Sequence, residues 1–125
     1  MIVLNWFAIF IWCWMIFYLS SIPGLKTGLG TWDFILRKLA HFLEFAWLEL
    51  LLFFTILKTF EIEARKIVFW AGFFAFVYAI SDEIHQSFIP NRDGNLRDVF
   101  IDFLGICLMA YLILRRFNEG KTQKT

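Results

Sequence analysis

Long apolar runs alternate with short polar breaks along the chain, and the runs have helical lengths. Ile2 to Leu19 is eighteen residues in which only Asn5 is polar. Leu39 to Leu57 is nineteen, interrupted by His41, Glu44 and Glu49. Ile67 to Ile80 is fourteen, followed by Ser81-Asp82-Glu83, and Val99 to Leu114 is sixteen around Asp102. A helix needs about 20 residues, rising ~1.5 Å each, to cross ~30 Å of hydrocarbon. The third and fourth runs reach that length if Asp82 to Ile89 extends the third helix and Leu96-Arg97-Asp98 opens the fourth. The breaks carry turn chemistry: Ser20 to Gly24 with Gly28 and Gly30, the charged connector Lys58 to Lys66, Pro90 to Asn95, and a polar tail from Asn118 to Thr125. The pattern predicts an all-α integral membrane bundle, one domain over 1–125, with four transmembrane helices near 2–19, 38–57, 67–89 and 97–114.

Composition supports the bilayer. Apolar residues are 60% of the 125, aromatics 21%, with seventeen Phe and six Trp, and charged residues only 18%. A soluble domain of this size has too little interior to hide so much apolar surface. A formal net charge of +1 excludes a broad nucleic-acid-binding face. Cys13 and Cys107 lie inside apolar runs and read as small core residues rather than a disulfide framework. The first run has no basic leader and no A-x-A cleavage pattern after it, so it reads as a retained span. Four spans put both ends on one side. The connector and tail carry seven basic residues (Lys58, Arg65, Lys66, Arg115, Arg116, Lys121, Lys124) against five opposite (Lys26, Arg37, Lys38, Arg92, Arg97), which predicts cytoplasmic termini. No sustained GxxxG face argues for a particular oligomer.

Ionisable residues within spans are costly and by default face the bundle interior. Here they share one height. Counting up from the cytoplasmic ends, Glu44, His41 and Lys38 lie at ~21, ~25 and ~30 Å on the second helix. Asp82, Glu83, His85 and Gln86 lie at ~24 to ~30 Å on the third, and Asp102 and Asp98 at ~20 and ~25 Å on the fourth. Helical spacing aligns each set on one stripe, and Gly105, on the Asp98–Asp102 stripe, allows a close helix approach.

Three kinds of chemistry suit such a layer. The groups can act as glue, with Lys38, Arg92 and Arg97 pairing carboxylates and the histidines bridging helices. They can line a pocket open to the outside, where Lys38 and Arg92 hold an anionic group and a His–carboxylate pair (His41 with Glu44, His85 with Asp82) handles protons or ligand. They can hold a cation through His41, Glu44, Asp82 and His85, although Glu83-x-His85 is no zincin signature. Glu49 alone continues the polar groups downward, which is too little for an ion path. No cofactor is expected.

The sequences Lys38-Leu-Ala-His41-Phe-Leu-Glu44-Phe45, Tyr78-Ala-Ile-Ser-Asp82-Glu83-Ile-His85-Gln86-Ser-Phe-Ile-Pro90-Asn-Arg92 and Asp98-Val-Phe-Ile-Asp102-Phe-Leu-Gly105, with Ser20-Ser21-Ile-Pro23 before them, resemble the VanZ-like family. The resemblance runs from about Tyr18 to Met109. It implies a small multi-pass protein of the bacterial cytoplasmic membrane, in a class linked to teicoplanin-type glycopeptide resistance, with no established reaction. Its characteristic residues are Lys38, His41, Glu44, Asp82, Glu83, His85, Gln86, Arg92, Asp98 and Asp102. Of these, His41, Glu44, Asp82, Glu83 and His85 are the candidates for catalysis. Lys38, Gln86, Arg92, Asp98 and Asp102 are those for ligand binding. Three positions depart from the family pattern: Phe45 where Tyr is usual, Glu49 where a small residue is usual, and Asn91 where Gly is common. The expected partners are the lipid bilayer and a cell-envelope precursor or glycopeptide-like ligand. A membrane-embedded enzyme acting on a lipid-linked envelope substrate, with or without a metal, is the alternative.

Overall fold

In a computed structural model that describes residues 1–23, 28, 30–92 and 94–123, the chain forms four helices. They are α1 (Ile2–Ser20), α2 (Thr31–Thr59), α3 (Ala64–Ser87) and α4 (Leu96–Thr122). Lys26 and Lys124, counted for orientation, and Gly24 of the first loop lie outside the described residues.

The helix ends have local causes. α2 starts well before its apolar run, with Gly30 at its N-cap in the left-handed region at φ +63° and Asp33 in the first turn, where a carboxylate favours the helix dipole. α3 stops at Ser87, two residues short of the expected Ile89, because Pro90 disfavours helical geometry in the residue before it. α4 opens at Asn95, whose side chain accepts a hydrogen bond from the Arg97 amide at 3.0 Å. The polar tail is not a loose end: α4 continues to Thr122, with an Arg115–Glu119 pair at 2.9 Å one turn apart.

α2 lies at the centre and packs against the other three helices, whereas α1 and α4 do not meet. Its core face carries Phe45, Leu48, Phe53 and Ile56, against Ala71, Ala75 and Ala79 of α3, Ile106 and Ile113 of α4, and Ile16 of α1. The alanines recur every fourth residue and form a small-residue stripe that admits the large side chains of α2. Gly105 brings α4 onto α2: a β-carbon there would stand 2.3 Å from the Phe42 carbonyl oxygen.

The outward surface is apolar. On α1 it presents Val3, Leu4, Phe7, Phe10, Ile11 and Trp14, and on α4 Phe100, Phe103, Leu104, Leu108 and Leu112. Soluble monomers rarely expose contiguous apolar area on this scale. α1, α2 and α3 are long and apolar enough to cross a membrane by length and composition. α4 is not among them, because Arg97, Asp98, Asp102, Arg115 and Arg116 crowd its apolar stretch.

Candidate functional site

The polar residues of α2, α3 and α4 converge at the ends of the helices near the α3–α4 turn. Lys38 on the second turn of α2 is ion-paired with Asp98 in the first turn of α4, and its ammonium also lies 5.1 Å from the Phe34 ring centroid. One turn further along α2, Nδ1 of His41 stands 3.4 Å from Oδ1 of the fully buried Asp102. The pair does not meet hydrogen-bond geometry, so the contact is electrostatic in character. On its other side, Nε2 of His41 faces Nε2 of Gln86 at 3.3 Å. That amide nitrogen also donates to Asp82 Oδ2 and Ser20 Oγ, each at 3.1 Å. Gln86 has two amide hydrogens for these three acceptors, so one contact is always shared. Donation from Gln86 to Nε2 leaves the His41 proton on Nδ1, on the side of Asp102. Asp102, His41 and Gln86 therefore form one line across α4, α2 and α3.

The second histidine has different company. His85 Nε2 lies 2.8 Å from Ser21 Oγ, and its ring stacks on Phe17 with centroids 4.4 Å apart. Ser21 donates to the Phe17 carbonyl at 2.7 Å, so its oxygen accepts from the imidazole. Glu83 accepts from the Asn95 backbone amide at 2.6 Å and so fastens the α3–α4 turn. Arg92 reaches the other way: Nε donates to the Ile22 carbonyl at 2.9 Å and Nη2 to the Leu19 carbonyl at 3.2 Å, tying the turn to the C-terminal end of α1. Burial, and next the like charge of Arg37, lowers the Arg92 guanidinium from its ordinary value.

All ten candidate residues thus gather in one region. The pairings within it differ from the simplest expectation: the carboxylate nearest His41 is Asp102, not Glu44, and His85 bonds Ser21, not Asp82. Lys38 is engaged by Asp98, and among the described residues the cation left with an unpartnered buried N–H is Arg37. Sequence reasoning placed Arg37 only in the charge count and missed Ser20 and Ser21. Both serines stand in the Ser-Ser-x-Pro segment, and helical spacing alone could not link them to α3. Among the described residues no group of three or more His, Cys, Asp and Glu side chains is disposed to hold a metal ion.

A polar cavity of about 320 Å³ opens beside this network, with Lys38, His41, Gln86, Arg92 and Asp98 in its wall. A larger concavity, about 600 Å³, follows the C-terminal stretch of α4. It is walled by that one helix and its cap, and none of the clustered residues reaches it. The VanZ/LLP1 family model matches residues 5–118. The chain belongs to this family. No curated protein and no solved structure matched. With its apolar helices, the chain is a membrane protein of the VanZ family.

The departures from the family pattern have structural settings. Phe45 is fully buried in the apolar core, its ring centroid 6.5 Å from that of His41, so it brings an aromatic ring but no hydroxyl to that side of the imidazole. Asn91 has φ +61°, a left-handed geometry that glycine adopts freely and asparagine tolerates. Glu49 is fully buried with both oxygens unpartnered among the described residues, packed against Gly72.

Proposed function

We propose that this VanZ-family chain is a four-span protein of the bacterial cytoplasmic membrane, both termini cytoplasmic, whose outward-facing polar cavity binds a cell-envelope or glycopeptide-like ligand and so alters susceptibility to teicoplanin-type antibiotics. The observation that carries this reading is the cavity of about 320 Å³ whose wall joins Arg37, Lys38 and His41 of α2, Gln86 of α3, Arg92 of the turn and Asp98 of α4. Its size falls in the usual range for ligand sites, ~300–1,000 Å³. Glue needs neither the room nor carboxylate oxygens left without partners. Oδ1 of Asp82, Oε2 of Glu83 and both oxygens of Asp102 are buried and unbonded among the described residues. Lys38–Asp98 and His41–Asp102 orient the wall, and Arg92 anchors its rim.

The test is expression in a susceptible host, scoring teicoplanin and vancomycin sensitivity for the wild type, His85→Ala and Asp82→Asn at matched membrane levels. The reading requires a shift in teicoplanin sensitivity with the wild type that both variants lose. Variants that insert normally and behave as the wild type would return the cluster to the role of glue.

A second reading, an enzyme acting on a lipid-linked envelope substrate, is favoured by two arrangements. The Asp102–His41–Gln86 line fixes an imidazole between a carboxylate and a donor, and Ser21 lies 2.8 Å from His85, which can take the hydroxyl proton once that proton leaves the Phe17 carbonyl. Turnover of a lipid-linked substrate that is lost in both His41→Gln and Ser21→Ala would select it.

A further inference from the structure

The polar cavity does not end at the network. Its wall shares Arg37, His41 and Arg92 with an inner cavity of about 90 Å³. That inner cavity in turn shares Ala40 and Glu44 with an apolar groove of about 420 Å³. The groove lies over α2, between α1 and α4, which do not meet and leave it uncovered. Leu43 and Trp47 on its floor are 54% and 46% exposed, so it faces the lipid. Trp12 forms one wall, held by its Nε1 donating to the Glu44 carbonyl at 3.0 Å and by the Trp47 ring with centroids 6.2 Å apart. Arg37, Ala40, Glu44 and Trp47 follow one face of α2 at helical spacing. Along that face the order is cation, small residue, carboxylate, indole.

The chemistry changes in the same order. Arg37 and Arg92 both line the inner cavity, as they do the outer one. Among the described residues neither has an ion pair; there Arg92 bonds only backbone carbonyls, and Arg37 keeps a buried Nε–H without a partner. Two adjacent guanidinium groups are stabilised by an anion that accepts from both, and a phosphate offers several acceptors in the required fork geometry. The inner cavity is small enough to select the phosphate itself, and the outer one leaves room for whatever the phosphate carries. Below it the groove offers apolar wall over Ala40 to Trp47, ~10 Å of helix rise, parallel to an acyl chain. Glu44 stands at the junction with no hydrogen bond or ion pair to its carboxylate among the described residues. It can accept the proton of a protonated phosphate.

We infer that the ligand of the proposed cavity is an anionic membrane lipid whose head-group phosphate carries no compensating cation, admitted sideways from the bilayer between α1 and α4, its phosphate between Arg37 and Arg92 and one chain in the groove over Ala40 and Trp47. This rests on the cavity reading above and names the class of molecule it takes.

The purified protein in phosphatidylcholine vesicles tests it, with tryptophan fluorescence quenched by lipids brominated on their chains. Phosphatidic acid is compared with phosphatidylcholine bearing the same brominated chains. The expected result is a preference of about tenfold for phosphatidic acid, whose phosphate charge no choline offsets, equal to ~1.4 kcal/mol. Arg37→Gln, which removes no backbone bond, abolishes it. Ala40→Phe, which fills the throat between head and tail compartments, abolishes it as well. The double substitution Trp12→Phe with Trp47→Phe removes the extra quenching and locates it in the groove. Equal quenching by the two lipids overturns the inference, as does a preference that survives Ala40→Phe. Inorganic phosphate, read as thermal stabilisation of the detergent-solubilised protein, separates the two levels. Stabilisation lost in Arg37→Gln without any lipid preference keeps the anion-binding cavity and rejects the lipid. Neither effect rejects both.

Discussion

A β-carbon on residue 105 would lie 2.3 Å from the Phe42 carbonyl oxygen and 3.1 Å from its carbon, both backbone atoms that cannot rotate away. Gly105→Ala is therefore expected to push α4 off α2 and lower the stability of the purified protein by about 1–3 kcal/mol. An unchanged melting temperature in detergent would show that the two helices are less closely held than described. Glu49 predicts the opposite sign. Its two oxygens are buried beside Gly72 and Ile106 without partners among the described residues. Glu49→Met, similar in length and free of unbonded acceptors, is expected to raise the melting temperature by the equivalent of about 1–3 kcal/mol. A fall would show that the carboxyl has a partner. The Gly105 contact was legible in the sequence, since a glycine on a stripe of inward-facing aspartates marks a close approach. The isolation of Glu49 was not, because partner choice depends on helix rotation, which spacing along one helix leaves open. The same limit explains His41 and His85: their height could be counted, but which carboxylate or serine each would meet is decided by neighbouring helices.

At the scale of elements, α1 is the weakly embedded one: Ile9, Ile16 and Ser20 are its only fully buried residues. Polar tips hold it instead. Trp6 Nε1 donates to Thr59 at 3.2 Å, Trp12 Nε1 to the Glu44 carbonyl, and the Tyr78 hydroxyl to the Cys13 carbonyl at 2.6 Å, while Arg92 grips its last turn. Interhelical hydrogen bonds in membranes contribute ~0.6–2 kcal/mol each. Tyr78→Phe removes one such bond without removing the ring. It is expected to loosen α1 and raise the maleimide reactivity of the half-buried Cys13 severalfold, with Cys107 replaced by Ala as background. Unaltered reactivity would mean that apolar packing alone holds α1. These ties were invisible in the sequence, where Trp12 and Tyr78 read as ordinary members of apolar runs. The four helices themselves were legible, because apolar runs between Gly, Pro and charge breaks have one common solution in a bilayer. Their ends were less so: Pro90 stopped α3 early, and α4 ran on through the tail because the Arg115–Glu119 pair favours helix where no apolar signal remains.

For the whole molecule the open quantity is how many helices cross. α4 carries more charge along its apolar stretch than the others, yet two of those charges face inward, where Asp98 meets Lys38 and Asp102 is fully buried beside His41, and Arg97, Arg115 and Arg116 sit at the ends of the stretch. The side it turns outward, Phe100, Phe103, Leu104, Leu108 and Leu112, is apolar. From Leu96 to Arg115 it rises ~29 Å, close to the hydrocarbon thickness. Inward and terminal charges of this kind need not touch the hydrocarbon, so a fourth span is expected, with the tail on the same side as the α2–α3 connector. Single cysteines in a Cys13→Ala, Cys107→Ala background decide this. Asn95→Cys should react with an impermeant maleimide in intact cells, while Glu63→Cys and Lys121→Cys should react only after the membrane is opened. If Lys121→Cys labels in intact cells together with Asn95→Cys, α4 does not cross. If Asn95→Cys is protected and Glu63→Cys labels, the excess of basic residues on the connector and tail has been outweighed and the cavity opens to the cytoplasm. That outcome would remove extracellular antibiotics and outer-leaflet lipids from the ligands the cavity can meet.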